Sequence, residues 1–153
     1  MSEDDPLYRR EILRLAADAH GAGHLPAPDA SATAQNPACG DRVTVELMLE
    51  DGRVSALAHT SQACVLAQAS AALLSGLAPG RDQADLEALA ASVKGFLSGG
   101  RAPEALEGGY GVFDGVAAHA GRHRCVLLPL EAALKALESA DPGTVRAEGE
   151  PAS

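Results

Sequence analysis

Cys39, Asp41, Cys64 and Cys125 are the residues of this 153-residue chain whose types and placement best suit chemistry. Cys39 and Asp41 stand two apart in Asn36-Pro37-Ala38-Cys39-Gly40-Asp41. In extended backbone, residues i and i+2 point the same way, and Gly40 between them lets the chain turn and leaves room for an ion. The segment therefore presents a thiolate and a carboxylate to one point. Cys64 and Cys125 complete a set of three sulfurs and one oxygen, which fills a tetrahedral zinc shell. The same thiolates suit iron–sulfur chemistry, which is held mainly by cysteine.

The flanks favour thiolate character. Arg42 follows Asp41, and Arg122, His123 and Arg124 precede Cys125 in an otherwise acidic chain. Nearby cations and helix N-termini lower a thiol's pKa, and Cys64 and Cys125 are both expected at helix starts. Plainer readings stand beside this one. A free cysteine is often a small buried hydrophobe, and Cys64 in Ala63-Cys64-Val65-Leu66 suits that role as well as a ligand role. Cys39 suits it less, in a loop of Asn, Pro, Gly and Asp, and so does Cys125, behind its basic triplet. Asp41 by itself reads as a turn residue. His123 is open to a ligand, proton-carrying, surface or capping role. His20, His24, His59 and His119 lack ligand spacing and are read as structural.

Composition narrows the function classes. A formal net charge of −9 opposes phosphate tracking, so neither nucleic acid nor an anionic membrane is an expected partner. Aromatics at 3%, with no tryptophan, leave no base-stacking platform. No stretch is long and apolar enough to span a bilayer. The opening MSEDDPLYRR lacks the apolar core of a secretory signal, so a cytoplasmic protein is expected. In that reducing compartment three cysteines point to metal, catalysis or inert burial rather than disulfides.

The elements that must position these residues follow from periodicity. Asp4-Asp5-Pro6 predicts a helix start, and Tyr8, Ile12, Leu15, Ala16 and Ala19 continue at helical spacing until Gly21 and Gly23. Residues 21–38 read as a loop that is able to add a third strand before Cys39. Val43, Val45, Leu47 and Leu49 alternate with Arg42, Thr44, Glu46 and Glu50, a strand with one wet face that Met48 mildly interrupts. Asp51-Gly52 signals a hairpin, and residues 54–60 return. Helical spacing resumes at Val65 with Leu66, Ala69, Leu73, Leu74 and Leu77. Asp82 caps the next helix, which carries Leu86, Leu89, Ala90, Val93, Phe96 and Leu97 and ends at Gly99-Gly100. Residues 101–121 resist assignment, with a short helix at 103–107 as one option. A final helix holds Leu127, Leu130, Ala133, Leu134 and Leu137, with Pro129 in its first turn and Cys125 just before it. Residues 141–153 read as a disordered tail. The expectation is an α+β fold in a single domain over residues 1–140. A small antiparallel sheet of about three strands packs on helices.

The ordered set resembles the U-type iron–sulfur cluster assembly proteins, the superfamily of IscU, the NifU N-terminal domain and SufU. The stretches that carry the resemblance are NPACGD (36–41), SQACVLAQASAALLSG (61–76) and RHRCVLLPLEAAL (122–134), and LYRREIL (7–13) is similar to the family's opening helix. The resemblance implies a small antiparallel sheet packed on helices, with the site at one exposed end. It also implies a PLP-dependent cysteine desulfurase that delivers persulfide sulfur to a site cysteine. Three departures resemble the SufU branch. Arg124, not histidine, directly precedes the third cysteine; no LPPVK segment is present; and 60 residues separate Cys64 from Cys125.

Members of that branch resemble zinc-bound sulfur acceptors that work with a SufS-type desulfurase. The resemblance thus implies Zn2+ on Cys39, Asp41, Cys64 and Cys125. Cys39 is the favoured sulfur acceptor, Cys125 the alternative, and Asp41 the labile oxygen ligand. A second reading in the same pathway is a scaffold that builds a transient [2Fe–2S] cluster on the same four residues and passes it to downstream assembly or acceptor proteins. A reading from another class is a zinc-stabilised interaction module without sulfur traffic. A third reading, a zinc hydrolase or deaminase, needs an open coordination position and a general base, and the deaminase pattern H-x-E…P-C-x-x-C is absent; a scaffold or sulfur carrier is expected rather than a classical enzyme.

Overall fold

A computed structural model describes residues 10–38, 40–99 and 109–140 of the chain. The Asp4-Asp5-Pro6 helix start, the optional helix at 103–107 and the tail at 141–153 lie outside the described residues.

The sheet forms where the hydrophobic period is two. β1 (Ala30–Asn36), β2 (Asp41–Glu50) and β3 (Arg53–Gln62) pair antiparallel in the order β1-β2-β3. The third strand expected before Cys39 is therefore present, in a register that runs from Ala30 opposite Leu47 to Asn36 opposite Asp41. Asp51 and Gly52 both have positive φ, 55° and 80°, the conformation of a two-residue turn whose twist matches that of the flanking strands. Asp41, Val43, Val45, Leu47 and Leu49 are buried on one face of β2. Met48 sits on the other face, so the alternation of β2 is unbroken. The irregularity falls on β3 instead, where Met48 pairs with Ala56 and Leu49 with Val54, leaving Ser55 as the extra residue.

Helices cover the apolar face. α1 (Arg10–Asp18) packs on α2 (Val65–Leu77), and α3 (Gln83–Leu97) packs on α4 (Ala120–Ser139). Asp82 starts α3 through a capping box: it accepts from the Asp85 N–H at 2.9 Å, while the Asp85 side chain accepts from the Asp82 N–H at 3.2 Å. α4 lies across β1 and β2. Lys135 Nζ donates to the Thr33 carbonyl at 2.8 Å and Arg124 to the Gln35 carbonyl at 3.1 Å. Cations from α4 thereby occupy the β1 edge of the sheet, which no other strand among the described residues covers. The small Ala30 and Ala34 of β1 are buried.

One stretch that the sequence leaves open takes shape here, and one expected helix boundary moves. Residues 110–118 form a 3₁₀ segment (Tyr110–Ala118) with a kink at Phe113. Its period is too short and irregular to read from sequence; it is held by the fully buried Tyr110 and Phe113, whose rings lie 5.7 Å apart. α4 also begins earlier than expected, at Ala120, so Pro129 sits inside it and Cys125 lies in its second turn rather than before it. The Arg122 N–H bonds the His119 carbonyl at 2.8 Å and His123 Nε2 bonds the Ala117 carbonyl at 3.0 Å, which secure the early turn. Pro129 removes the one N–H that would reach the Cys125 carbonyl, and burial of Cys125, Val126, Leu128 and Leu130 outweighs that loss. Among the described residues, no helix is long and apolar enough to cross a membrane.

Gly21 joins α1 to the sheet. Its φ is +82°, and a Cβ there would collide with the Ser75 side chain. Its carbonyl accepts from the His59 N–H at 3.0 Å. Gly21→Ala is expected to lower stability by about 2 kcal/mol or more, read as a lower urea midpoint with an unchanged slope.

Candidate metal centre

Three elements deliver three ligand-type side chains to one place. Asp41 is the first residue of β2 and falls in phase with Val43 and Val45, so its carboxylate faces the core and is 8% exposed. Cys64 joins β3 to α2 at the N-cap position, with extended φ and ψ of −67° and 168°, and is half-buried. Cys125 projects from the second turn of α4 and is 1% exposed. Their donor atoms all lie within 4.8 Å of one another, and Cys125 Sγ is 3.7 Å from Asp41 Oδ2. A tetrahedral ion with bonds of roughly 2.0–2.3 Å sets its donors roughly 3.3–3.8 Å apart. Two sulfurs and an oxygen at this spacing fit such an ion with little adjustment, and thiolate with carboxylate is a donor set that zinc accepts.

Cys39 lies outside the described residues. Of its neighbours, Gly40 has φ +79° and its N–H bonds the Asn36 carbonyl at 2.8 Å, while Asn36 Oδ1 accepts from the Ala38 N–H at 3.2 Å. Asn36 is itself buried, at 6% exposure, so the turn that leads into Asp41 is anchored in the fold.

The expected cation support is redistributed. Arg42 alternates to the outer face of β2 and bonds Gln62 Oε1 at 3.2 Å, away from the thiols. Arg124 is engaged by Gln35 and by Glu131 at 3.2 Å, and His123 by the Ala117 carbonyl, a capping role. Of the basic triplet it is Arg122 that hydrogen-bonds the Cys125 thiol. The triplet stood out in the sequence, but which member faced the sulfur depended on the helical phase of α4. The remaining described histidines are engaged structurally. His59 Nε2 donates to the His20 carbonyl at 2.8 Å, His20 Nδ1 lies 2.6 Å from Ser75 Oγ, His24 pairs with Glu46 at 2.8 Å, and the His119 N–H bonds the Val116 carbonyl at 2.8 Å.

The two thiols are unlike. The Cys64 pKa is lowered to about 7, chiefly because the Cys125 S–H donates to its sulfur; burial and the Asp41 carboxylate oppose this. The first-turn N–H of Ala67 adds a smaller pull without forming a full capping bond. Cys125 moves the other way, held protonated by that same bond to Cys64 and by burial. Cys64 is thus the thiolate of the pair and Cys125 the donor. The helix start expected for both cysteines is realised for Cys64 alone.

Residues 7–107 match the family model of the NifU-like N terminal domain. That span contains Cys39, Asp41 and Cys64 and ends before Cys125, whose place beside Asp41 and Cys64 comes from the structure. Among solved structures the chain is similar to the N-terminal part of a nitrogen-fixing NifU-like protein from Brucella abortus, with 29% identity, a TM-score of 0.79, and coverage of 95% of this chain and 98% of that one. It is similar in fold to a proposed iron–sulfur cluster assembly scaffold protein for the SUF system from the thermophile Fervidobacterium islandicum AW-1, with 20% identity, a TM-score of 0.76, and coverage of 88% and 98%. Among curated proteins none matches the chain.

The asymmetry of the thiols has a direct readout in metal-free protein. A thiol whose pKa is lowered gains thiolate, and so reactivity, as pH rises toward that lowered value. Iodoacetamide labelling of Cys64 is expected to reach half its maximal rate near pH 7, as its pKa of about 7 requires. Cys125 should label much more slowly throughout, as peptide mass spectrometry would resolve. Faster labelling at Cys125 would reverse the assignment.

Proposed function

This chain belongs to the NifU-like N-terminal domain family, and from that premise we propose that it serves iron–sulfur cluster assembly by accepting sulfur from a cysteine desulfurase at a zinc site. The observation that carries the reading is the convergence of Asp41, Cys64 and Cys125 from three separate elements, with donor atoms within 4.8 Å of one another. Cys39, two residues before Asp41 in sequence, is the fourth ligand of the proposal. The engagement of His123 by a backbone carbonyl supports a donor set without histidine.

Bound zinc would keep the thiols deprotonated and protected from oxidation. The residues do the rest. Cys125 and Asp41 hold the buried side of the site and Cys64 the half-buried side, and Asp41 supplies the weakest-held donor, a single oxygen among sulfurs. Cys39 is the acceptor, with Cys125 the alternative. The acceptor thiolate attacks the outer sulfur of the desulfurase persulfide; a new S–S bond forms, and the desulfurase cysteine leaves as a thiolate. No external oxidant or reductant is needed, because the sulfane sulfur passes from one thiolate to another. The partner is a PLP-dependent cysteine desulfurase of SufS type, the sulfur goes on to downstream assembly or acceptor proteins, and the setting is cytoplasmic.

A second reading takes a transient [2Fe–2S] cluster as cargo on the same residues. The name of the Fervidobacterium relative favours it.

Mixing the zinc-loaded chain with a SufS-type desulfurase and L-cysteine is expected to add one sulfur atom to Cys39, seen by peptide mass spectrometry. Cys39→Ser should abolish it. A folded, metal-loaded chain that takes up no sulfur, or takes it up equally after Cys39→Ser and after Cys125→Ser, would contradict the acceptor role. Asp41→Ala is expected to slow release of the bound cargo; release at the wild-type rate would count against Asp41 as the labile ligand. An interaction module would behave otherwise again, since cysteine loss would then unfold the chain.

A further inference from the structure

The helix that starts after Cys64 and the helix that carries Cys125 are joined by a buried polar contact. Ser70 of α2 and Tyr110 of the 3₁₀ segment are both 0% exposed. Ser70 Oγ donates to the Val126 carbonyl at 2.6 Å. The Tyr110 hydroxyl lies 3.0 Å from Ser70 Oγ and 3.1 Å from the Ser70 carbonyl. With the serine proton committed to Val126, the tyrosine proton serves the two Ser70 oxygens. The direction of donation is therefore Tyr110 to Ser70 to Val126.

The location of this relay explains it. Val126 directly follows Cys125. Pro129 has no N–H for the Cys125 carbonyl, and its ring crowds that carbonyl. α4 is thus weakened at the turn that bears the thiol. The Ser70 hydroxyl fastens the next carbonyl along to α2, and α2 begins at Cys64. A buried polar chain of this kind specifies one arrangement of the helices where an apolar contact would allow sliding.

We propose that the Tyr110–Ser70–Val126 relay sets the position of Cys125 relative to Cys64, which makes Ser70 and Tyr110 positioning residues of the site. The inference deepens the function proposed above and rests on it. Neither side chain contacts the metal or sulfur; both act through the turn of α4.

The test uses the full chain with Ser70→Ala, Tyr110→Phe and, as a control, Val54→Ala, a buried residue at the hairpin end of the sheet, away from Asp41. In metal-free, folded protein, both relay variants are expected to speed iodoacetamide labelling of Cys125 roughly five- to tenfold, while Cys64, which loses part of the bond from the Cys125 S–H, labels no faster than in wild type. Cobalt(II) should bind them more weakly, with a diminished thiolate-to-cobalt absorption band. Val54→Ala should leave the ratio of the two labelling rates unchanged. Wild-type ratios and cobalt spectra in both relay variants would overturn the proposal, as would an equal effect of Val54→Ala. If the wild-type chain bound no cobalt, the metal reading above would fail, while the labelling ratio would still decide the relay.

Discussion

Asp41 holds a carboxylate at 8% exposure against a thiol at 1% exposure, and charge withdrawn from water in this way must find a proton, a cation or a metal within reach. In the structure the partners are thiols. Cys125 directs its S–H to the Asp41 carboxylate and shares it with Cys64. Oxygen and sulfur so close together repel as thiolates form, even with Arg122 beside Cys125, and this is the repulsion that a divalent ion would relieve. The site is a local conflict between burial and charge, placed where three elements end or begin.

The rest of the fold serves that placement. The alternation that buries Val43 and Val45 also turns Asp41 inward, at the end of β2 where the Cys125 thiol meets it. α2 starts at Cys64, so the sulfur lies beside the unpaired N–H groups of a first turn. α4 spans twenty residues in spite of Pro129, because its buried face runs on from Cys125 to Leu137. Its outer side chains Arg124 and Lys135 fasten it to the open edge of β1. The thiol of Cys125 is thus delivered by a helix anchored on the same sheet that presents Asp41.

Local chemistry and period make much of this legible in the sequence. Asp51-Gly52, the alternation along β2, the capping Asp82 and the apolar stripes of α2 and α3 each have a cause within a few residues. The third strand was readable only as an option, since Ala30 to Asn36 owe their pairing to β2 rather than to their own propensity. The start of α4 departs from the sequence expectation because proline signals a first turn locally, whereas tertiary burial keeps the helix running through Pro129. The 3₁₀ segment is opaque in the sequence because it is held by tertiary burial of Tyr110, Phe113 and Val116 rather than by a local period. For the site, the convergence of Asp41, Cys64 and Cys125 was inferred from residue types and their order. The choice of Arg122 over Arg42 and Arg124 was not accessible, since it depends on which way each side chain faces.

The central claim is that these residues hold a metal, and its most direct test is the metal and acid-labile sulfide content of anaerobically isolated protein, read together with the visible spectrum. About one zinc per chain, no sulfide and no visible band is the predicted result for a closed four-ligand site. Iron with matching sulfide and charge-transfer bands would contradict the zinc-bound acceptor and make a cluster the cargo of the same residues. Neither metal nor sulfide, even after reconstitution, would contradict the shared site itself.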